Sequence, residues 1–279
     1  ILINNWFMIF YLITVLLGTI YPIFTEVLGN NKVSVGPPFY NTVIIPIVIL
    51  FLFFMSVGPR TQWIKNKYYN FNLLLKILFG SIIINVGIIY FFDGYSLLSN
   101  FIMISAIFLV IASLIDLYKS FKKPAIDFPR IISHLAFGFL ILFIGLNYNF
   151  SLEEDFNLKQ GEERKFQNYS IEFKNLRLED FKNYKAVIGE FKIIDSEKNL
   201  NHFLYPEIRI YNNPSTITYE ASIRSSFLKD YYITMSNIDR SDFYNIKFQK
   251  KPFMIWIWIS AIFISIGGFL RLFKNAKNY

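Results

Sequence analysis

Six apolar stretches, each close to the ~20 residues that a membrane-crossing helix needs, constrain this chain more than anything else in it. They run over Trp6–Phe24, Thr42–Val57, Leu73–Phe92, Leu97–Leu117, Ile131–Tyr148 and Phe253–Leu272. A soluble core of 279 residues has no use for so many, because six such runs would leave almost no polar surface. Over half the residues are hydrophobic and 32 are Phe, which agrees. The second stretch is the shortest and carries Pro46, whose orphaned carbonyl a neighbouring helix can satisfy.

Basic residues set the expected orientation. Arg60, Lys65 and Lys67 follow the second span; Lys119, Lys122, Lys123 and Arg130 separate the fourth from the fifth; Arg271, Lys274 and Lys277 follow the sixth. The loops on the other side offer only Lys32. All three basic segments fall on one side of an alternating path, so the first span runs outward and the C-terminus is expected in the cytoplasm. The net charge of +8 is therefore mostly a topology signal. No nucleic acid is expected as a partner, since the soluble part has no basic face; membrane lipid is.

Between Asn149 and Lys251 the composition changes. Acidic and basic residues come close to balance, and apolar residues alternate with polar ones in Tyr169–Leu176, Ala186–Ile194 and Ile217–Ile223. Period-2 patterning with β-branched and aromatic residues predicts a mostly β domain of seven to nine short strands, a sandwich or open barrel. Asp195–Asn199 and Asn212–Ser215 read as turns. The fold class is an integral membrane α-helical bundle of about six transmembrane helices with an inserted, mostly-β extracytoplasmic domain. The domains are residues 1–148, 149–251 and 252–279. The chain opens on Ile rather than Met and shows no signal peptide, so its start reads as a truncation.

His134 is the sharpest chemical feature. It lies in Ile131–Gly145, a run without charge, where an imidazole is costly unless something ligates or hydrogen-bonds it. The chain has two histidines and no cysteine, so no other strong soft-metal ligand stands in a span. A haem axial ligand or a proton relay is favoured over a structural histidine. Ser133 points elsewhere on the helix, and Arg130, one turn earlier, is a positive-inside anchor or a propionate partner. His202 has no second ligand beside it and reads as a surface or turn histidine. Gly36-Pro37-Pro38 is expected to forbid helix and fix an extended or turned entry, with Phe39 and Tyr40 facing an apolar groove at most. Asp93 and Asp116 are placed to be solvated. Trp256 and Trp258 fit an interfacial aromatic belt. No phosphate loop or nucleophile elbow occurs, and no catalytic residue is singled out.

The ordered set of these elements resembles the C-terminal part of the CcmF family, haem lyase subunits of the bacterial cytochrome c maturation system (System I). The residues that carry the resemblance are Leu17–Pro22, Ser34–Asn41, Ser133-His134 opening a span, Tyr205–Asn212, and Lys251–Trp258 followed by Gly267–Leu270, with Tyr219–Ile223 as a weaker match. The resemblance implies cytochrome c-type biogenesis by covalent attachment of haem to apocytochrome c, and a transmembrane haem b with two histidine ligands. His134 matches one of them, and so would hold the haem iron. The family's tryptophan-rich segment, outer haem histidines and other b-haem ligand would lie N-terminal to Ile1. The fragment alone is therefore expected to bind haem poorly and to be inactive as a lyase. Implied partners are apocytochrome c, the haem chaperone CcmE and CcmH/CcmI-type subunits. The implied location is the bacterial inner membrane, with the β domain in the periplasm. A membrane transporter subunit with an accessory β domain is the alternative, and an assembly factor without chemistry the third reading. A transporter would usually show broken helices around a midplane site.

Overall fold

The computed structural model describes residues 2–29, 33–60, 71–91, 97–122, 127–195, 200–237 and 241–276. Lys32, Lys65, Lys67, Asp93, Lys123 and Lys277 lie outside the described residues, as does most of the expected turn at Asp195–Asn199. The chain divides into two compact units, Ile1–Gly145 with Trp256–Tyr279, and Leu146–Ile255.

Among the described residues the first unit holds α1 (Leu2–Gly29), α2 (Pro37–Val57), a 3-10 turn (Gly58–Arg60), α3 (Phe71–Phe91), α4 (Leu97–Lys122), and most of α5 (Phe128–Phe150) and α6 (Met254–Ala276). All six helices are long and apolar enough to cross a membrane. Their outer faces stay apolar because a bilayer, unlike water, does not penalise exposed Leu and Phe. α4 is the interior member: half of its apolar window is buried, against 11–22% for the others. Leu109 and Ala106 of α4 pack on Leu52 of α2 with Phe137 and Ile141 of α5, while Phe108 and Ala112 meet Ile77 of α3. Small residues allow close crossings. A Cβ at Gly267 of α6 would strike the Ser133 hydroxyl and come within 3.0 Å of the Pro129 carbonyl of α5. Serine hydroxyls inside the spans bond to their own helix at Ser56, Ser81, Ser105 and Ser260, as Ser56 Oγ donates to the Leu52 carbonyl at 2.8 Å.

The expected break at Gly36-Pro37-Pro38 is a correction. Gly36 is extended (φ −111°, ψ −175°), but the two prolines are themselves the first residues of α2. Proline's missing N–H costs nothing in a first helical turn, where the donor has no partner, and its fixed φ suits a helix.

The second unit is antiparallel β throughout. Among the described residues it has ten strands, β1 (Leu152–Leu158), β2 (Glu163–Phe166), β3 (Tyr169–Asp180), β4 (Tyr184–Asp195), β5 (Leu200–Leu204), β6 (Glu207–Asn212), β7 (Ser215–Glu220), β8 (Ser222–Arg224), β9 (Lys229–Asn237) and β10 (Tyr244–Pro252). The alternation of Tyr169–Leu176 and Ala186–Ile194 falls on β3 and β4 as expected. The count exceeds the expected seven to nine because Glu163–Phe166 and Ser222–Arg224 are too short to show a period. One sheet runs β1-β10-β9-β8; the other runs β2-β3-β4-β6-β7, with β5 also paired to β4. Ile171, Phe173, Phe191, Ile193, Ile233, Ile246 and Phe248 fill the space between them. Phe173 and Phe191 stack at 4.5 Å, and each contributes about 1.5–3 kcal/mol by leaving water. β1 begins two residues after α5 ends, and β10 ends two residues before α6 begins.

Candidate functional site

α5 starts at Phe128, so His134 sits in its second turn. The ring is partly buried and lines a cavity of about 570 Å³. The opposite walls come from the N-terminal turns of α1 (Ile3, Asn4, Phe7, Met8) and the C-terminal turns of α2 (Phe51, Phe54, Met55), closed by Gly58 and Pro59. α1 and α2 run in opposite directions, which brings the start of one and the end of the other to the same level as the start of α5. Phe7 and Phe51 tilt together at 5.3 Å, and Phe51 meets Phe137 edge-on at 5.9 Å, so the apolar wall is stiff.

His134 and Ser133 diverge as helical geometry requires. Ser133 faces α6 at Gly267, while His134 faces α1 and α2. Arg130 lines a separate cleft with Asp127, Pro129, Ser133, Gly267, Gly268 and Arg271, where Arg271 pairs with Asp127. Phe39 borders an apolar groove with Leu17, Gly18, Tyr21 and Phe24; Tyr40 instead lays its ring over Gly18 of α1. Trp256 stacks on Phe143 of α5 at 5.6 Å. Asn4, Met8 and Met55, which line the His134 cavity, were not evident in the sequence; the polar pair Asn4-Asn5 before an apolar run was the one signal available for the first of them.

In the β unit His202 is a strand residue rather than a turn residue. It lies on β5, half-buried, with its ring 5.4 Å from that of Tyr231. Burial, then the charges of Arg224 and Lys229, hold its pKa below the ordinary histidine value. Beside it is a cross-sheet network that sequence reading missed. Asp195 of β4 is fully buried; Lys229 Nζ donates to its Oδ2 at 2.6 Å and the Tyr231 hydroxyl donates at 3.1 Å. Burial pulls the Lys229 ammonium down, but the Asp195 hydrogen bond and the Tyr169 side chain outweigh it and the net shift is upward. Burial likewise pushes the Tyr231 phenol up. No group of three or more His, Cys, Asp or Glu side chains able to hold a metal ion occurs among the described residues.

Comparison with known proteins gives one consistent answer. Residues 149–252 match the family described as the CcmF C-terminal beta-sandwich. The cytochrome c-type biogenesis protein CcmF of Pseudomonas fluorescens is 26% identical over 280 residues, covering 96% of this chain and 42% of its own length. That of Escherichia coli K12 is 23% identical over 276 residues, covering 97% and 42%. A solved structure titled cytochrome c heme lyase CcmF superposes with a TM-score of 0.72 at 20% identity, over 95% of this chain and 44% of that one. This chain thus spans less than half the length of the relatives it matches. Within that span, sequence, β-sandwich and fold agree, and the chain is similar along its whole length to the C-terminal part of the CcmF proteins.

Proposed function

We propose that the chain is the C-terminal part of a haem lyase of cytochrome c-type biogenesis, which attaches haem covalently to apocytochrome c, and that His134 is one axial ligand of a haem b within the membrane. The observation that carries this is the cavity of about 570 Å³ into which the one intramembrane histidine faces. The residues fit the group. The volume lies in the range of cofactor sites, Phe7, Phe51 and Phe54 offer flat apolar walls to a macrocycle, and a neutral imidazole nitrogen is a standard haem-iron ligand. Bound there, haem would supply a one-electron iron centre. His134 would hold the iron, and the aromatic rings of α1 and α2 that line the cavity would shield it from water. The second histidine ligand that the resemblance implies would be supplied from outside residues 1–279.

The comparisons favour this over a transporter subunit. Apocytochrome c, the haem chaperone CcmE and CcmH/CcmI-type subunits are the partners it entails. The basic residues Lys119, Lys122, Arg130 and Arg271 support a cytoplasmic C-terminus and a periplasmic β domain in the bacterial inner membrane. The test is the reduced-minus-oxidised absorbance spectrum of the full-length protein carrying His134→Ala. The b-type signal is lost if His134 is a ligand; an unchanged spectrum in a normally expressed variant refutes the assignment.

A further inference from the structure

The turn between β8 and β9 carries two apolar side chains into the open, with Phe227 60% and Leu228 52% exposed. The turn is tightly held. Ser226 N–H donates to Asp230 Oδ1 at 3.2 Å, Ser225 Oγ donates to Asp230 Oδ2 at 3.1 Å, and Lys229 N–H donates to Ser226 Oγ at 3.3 Å. Asp230 itself is buried. With the Ser226 and Lys229 N–H groups taken up by the turn's own side chains, fewer donors are stranded when it meets an apolar phase.

Its place in the unit is as telling as its make-up. The Leu228 carbonyl accepts a hydrogen bond from Phe253 N–H at 2.9 Å. Phe253 is the last residue before α6, whose Met254–Phe273 stretch is apolar enough to span a bilayer. Leu228 is therefore bonded to the residue that directly precedes that stretch. Moving away from that residue, the register sets Lys229 opposite Pro252, Asp230 opposite Lys251 and Tyr231 opposite Lys250, with Arg224 beside Tyr231 on β8. An apolar tip followed by a basic band mirrors a phospholipid surface, where acyl chains give way to anionic phosphates.

We propose that the Phe227–Leu228 turn is a membrane-interface foot. The two side chains sit at the boundary of acyl chains and headgroups in the leaflet that α6 enters from the β unit, and Arg224 and Lys251 meet lipid phosphates. The β unit then has three attachments to that surface: the two chain crossings at α5 and α6, and this non-covalent third.

Residues 1–279 contain no cysteine, so single nitroxide labels can be placed cleanly. The full-length protein, freed of any cysteine elsewhere, is labelled at Phe227→Cys, Leu228→Cys or Gln160→Cys and reconstituted in vesicles of phosphatidylcholine and phosphatidylglycerol. Gln160 lies beyond the far end of β1, roughly 20 Å along the strand from Leu152 at ~3.4 Å per residue. Collision with lipid-soluble oxygen is compared with collision with a water-soluble nickel chelate. Labels at 227 and 228 are expected to lose nickel accessibility and gain oxygen accessibility relative to 160. Nickel-dominated labels at 227 and 228 overturn the proposal. So does shielding from both reagents, which would mean that protein covers the turn. All three positions are exposed, so labelling leaves the β core intact.

Discussion

Replacing Asp195 with Ala tests whether the cross-sheet network holds the β unit together. The carboxylate is 1% exposed and its Lys229 partner 18%. The variant leaves an ammonium facing the Tyr169 and Tyr231 rings at 5.7 and 5.2 Å, and deprives the Tyr231 hydroxyl of its acceptor. Removing one partner of a buried pair costs about 3–5 kcal/mol. Lys229 has some access to water and can bend toward it, which sets the expectation near the lower end, about 3 kcal/mol. For a domain of this size that is a fall of about 10–20 °C in the unfolding midpoint. Asp195→Asn keeps an acceptor for Tyr231 and should cost less, about 1–2 kcal/mol. Asp195→Ala combined with Lys229→Met removes the stranded charge and should recover part of the loss. Near-ultraviolet circular dichroism of the tyrosines follows the transition. Asp195→Ala within about 0.5 kcal/mol of the parent, the scatter of an ordinary surface change, would refute the reasoning. A double variant no better than the single would do the same. The pH dependence has a definite sign. Lys229 is raised above its ordinary 10.5, so its contribution is complete below that pH and disappears as pH rises through the folded value.

Other outcomes are expected. Phe191→Ala removes a fully buried ring stacked on Phe173 and should cost about 3–5 kcal/mol in denaturant unfolding of the β unit. The His202 pKa is held below 6.5, so its contribution is present above that pH and is lost as pH falls through 6.5 toward the folded value; hydrogen exchange along β5 should quicken over that interval, and His202→Gln should flatten the profile. Gly267→Val drives side-chain atoms into Ser133 and Pro129 and should lower the detergent melting temperature, whereas Gly268→Ala, which meets no atom within 4 Å, should not. Cysteines at Ser241 and Lys119 should label from opposite sides of the membrane; labelling from one side would reject the assigned orientation.

The helices were legible because a membrane span writes itself in one continuous stretch of sequence. β3 and β4 were legible because twelve residues give a period-2 pattern room to repeat. The start of α2 was misread because proline punctuates chains in general, and only the helical position of Pro37 and Pro38 makes them compatible with a first turn. His134 could be singled out from its apolar surroundings alone. Its cavity could not, because the walls come from the start of α1 and the end of α2, and only packing brings those together. The Asp195–Lys229 pair was invisible for the same reason: its members are 34 residues apart and sit on different sheets.

The two prolines that open α2 bear on how deep that helix rests. A helix exposes four unpaired N–H groups at its start, and these normally hold the end in water or at a polar cap. Pro37 and Pro38 have none to expose, and Phe39 N–H already reaches the Gly36 carbonyl at 3.1 Å. The entry end of α2 thus lacks the polar brake that fixes most spans along the bilayer normal. Its depth is left to side chains, chiefly the Phe39 and Tyr40 rings, which touch at 5.3 Å. A change that restored those N–H groups would shift the level at which α2 floats before it altered whether α2 is helical.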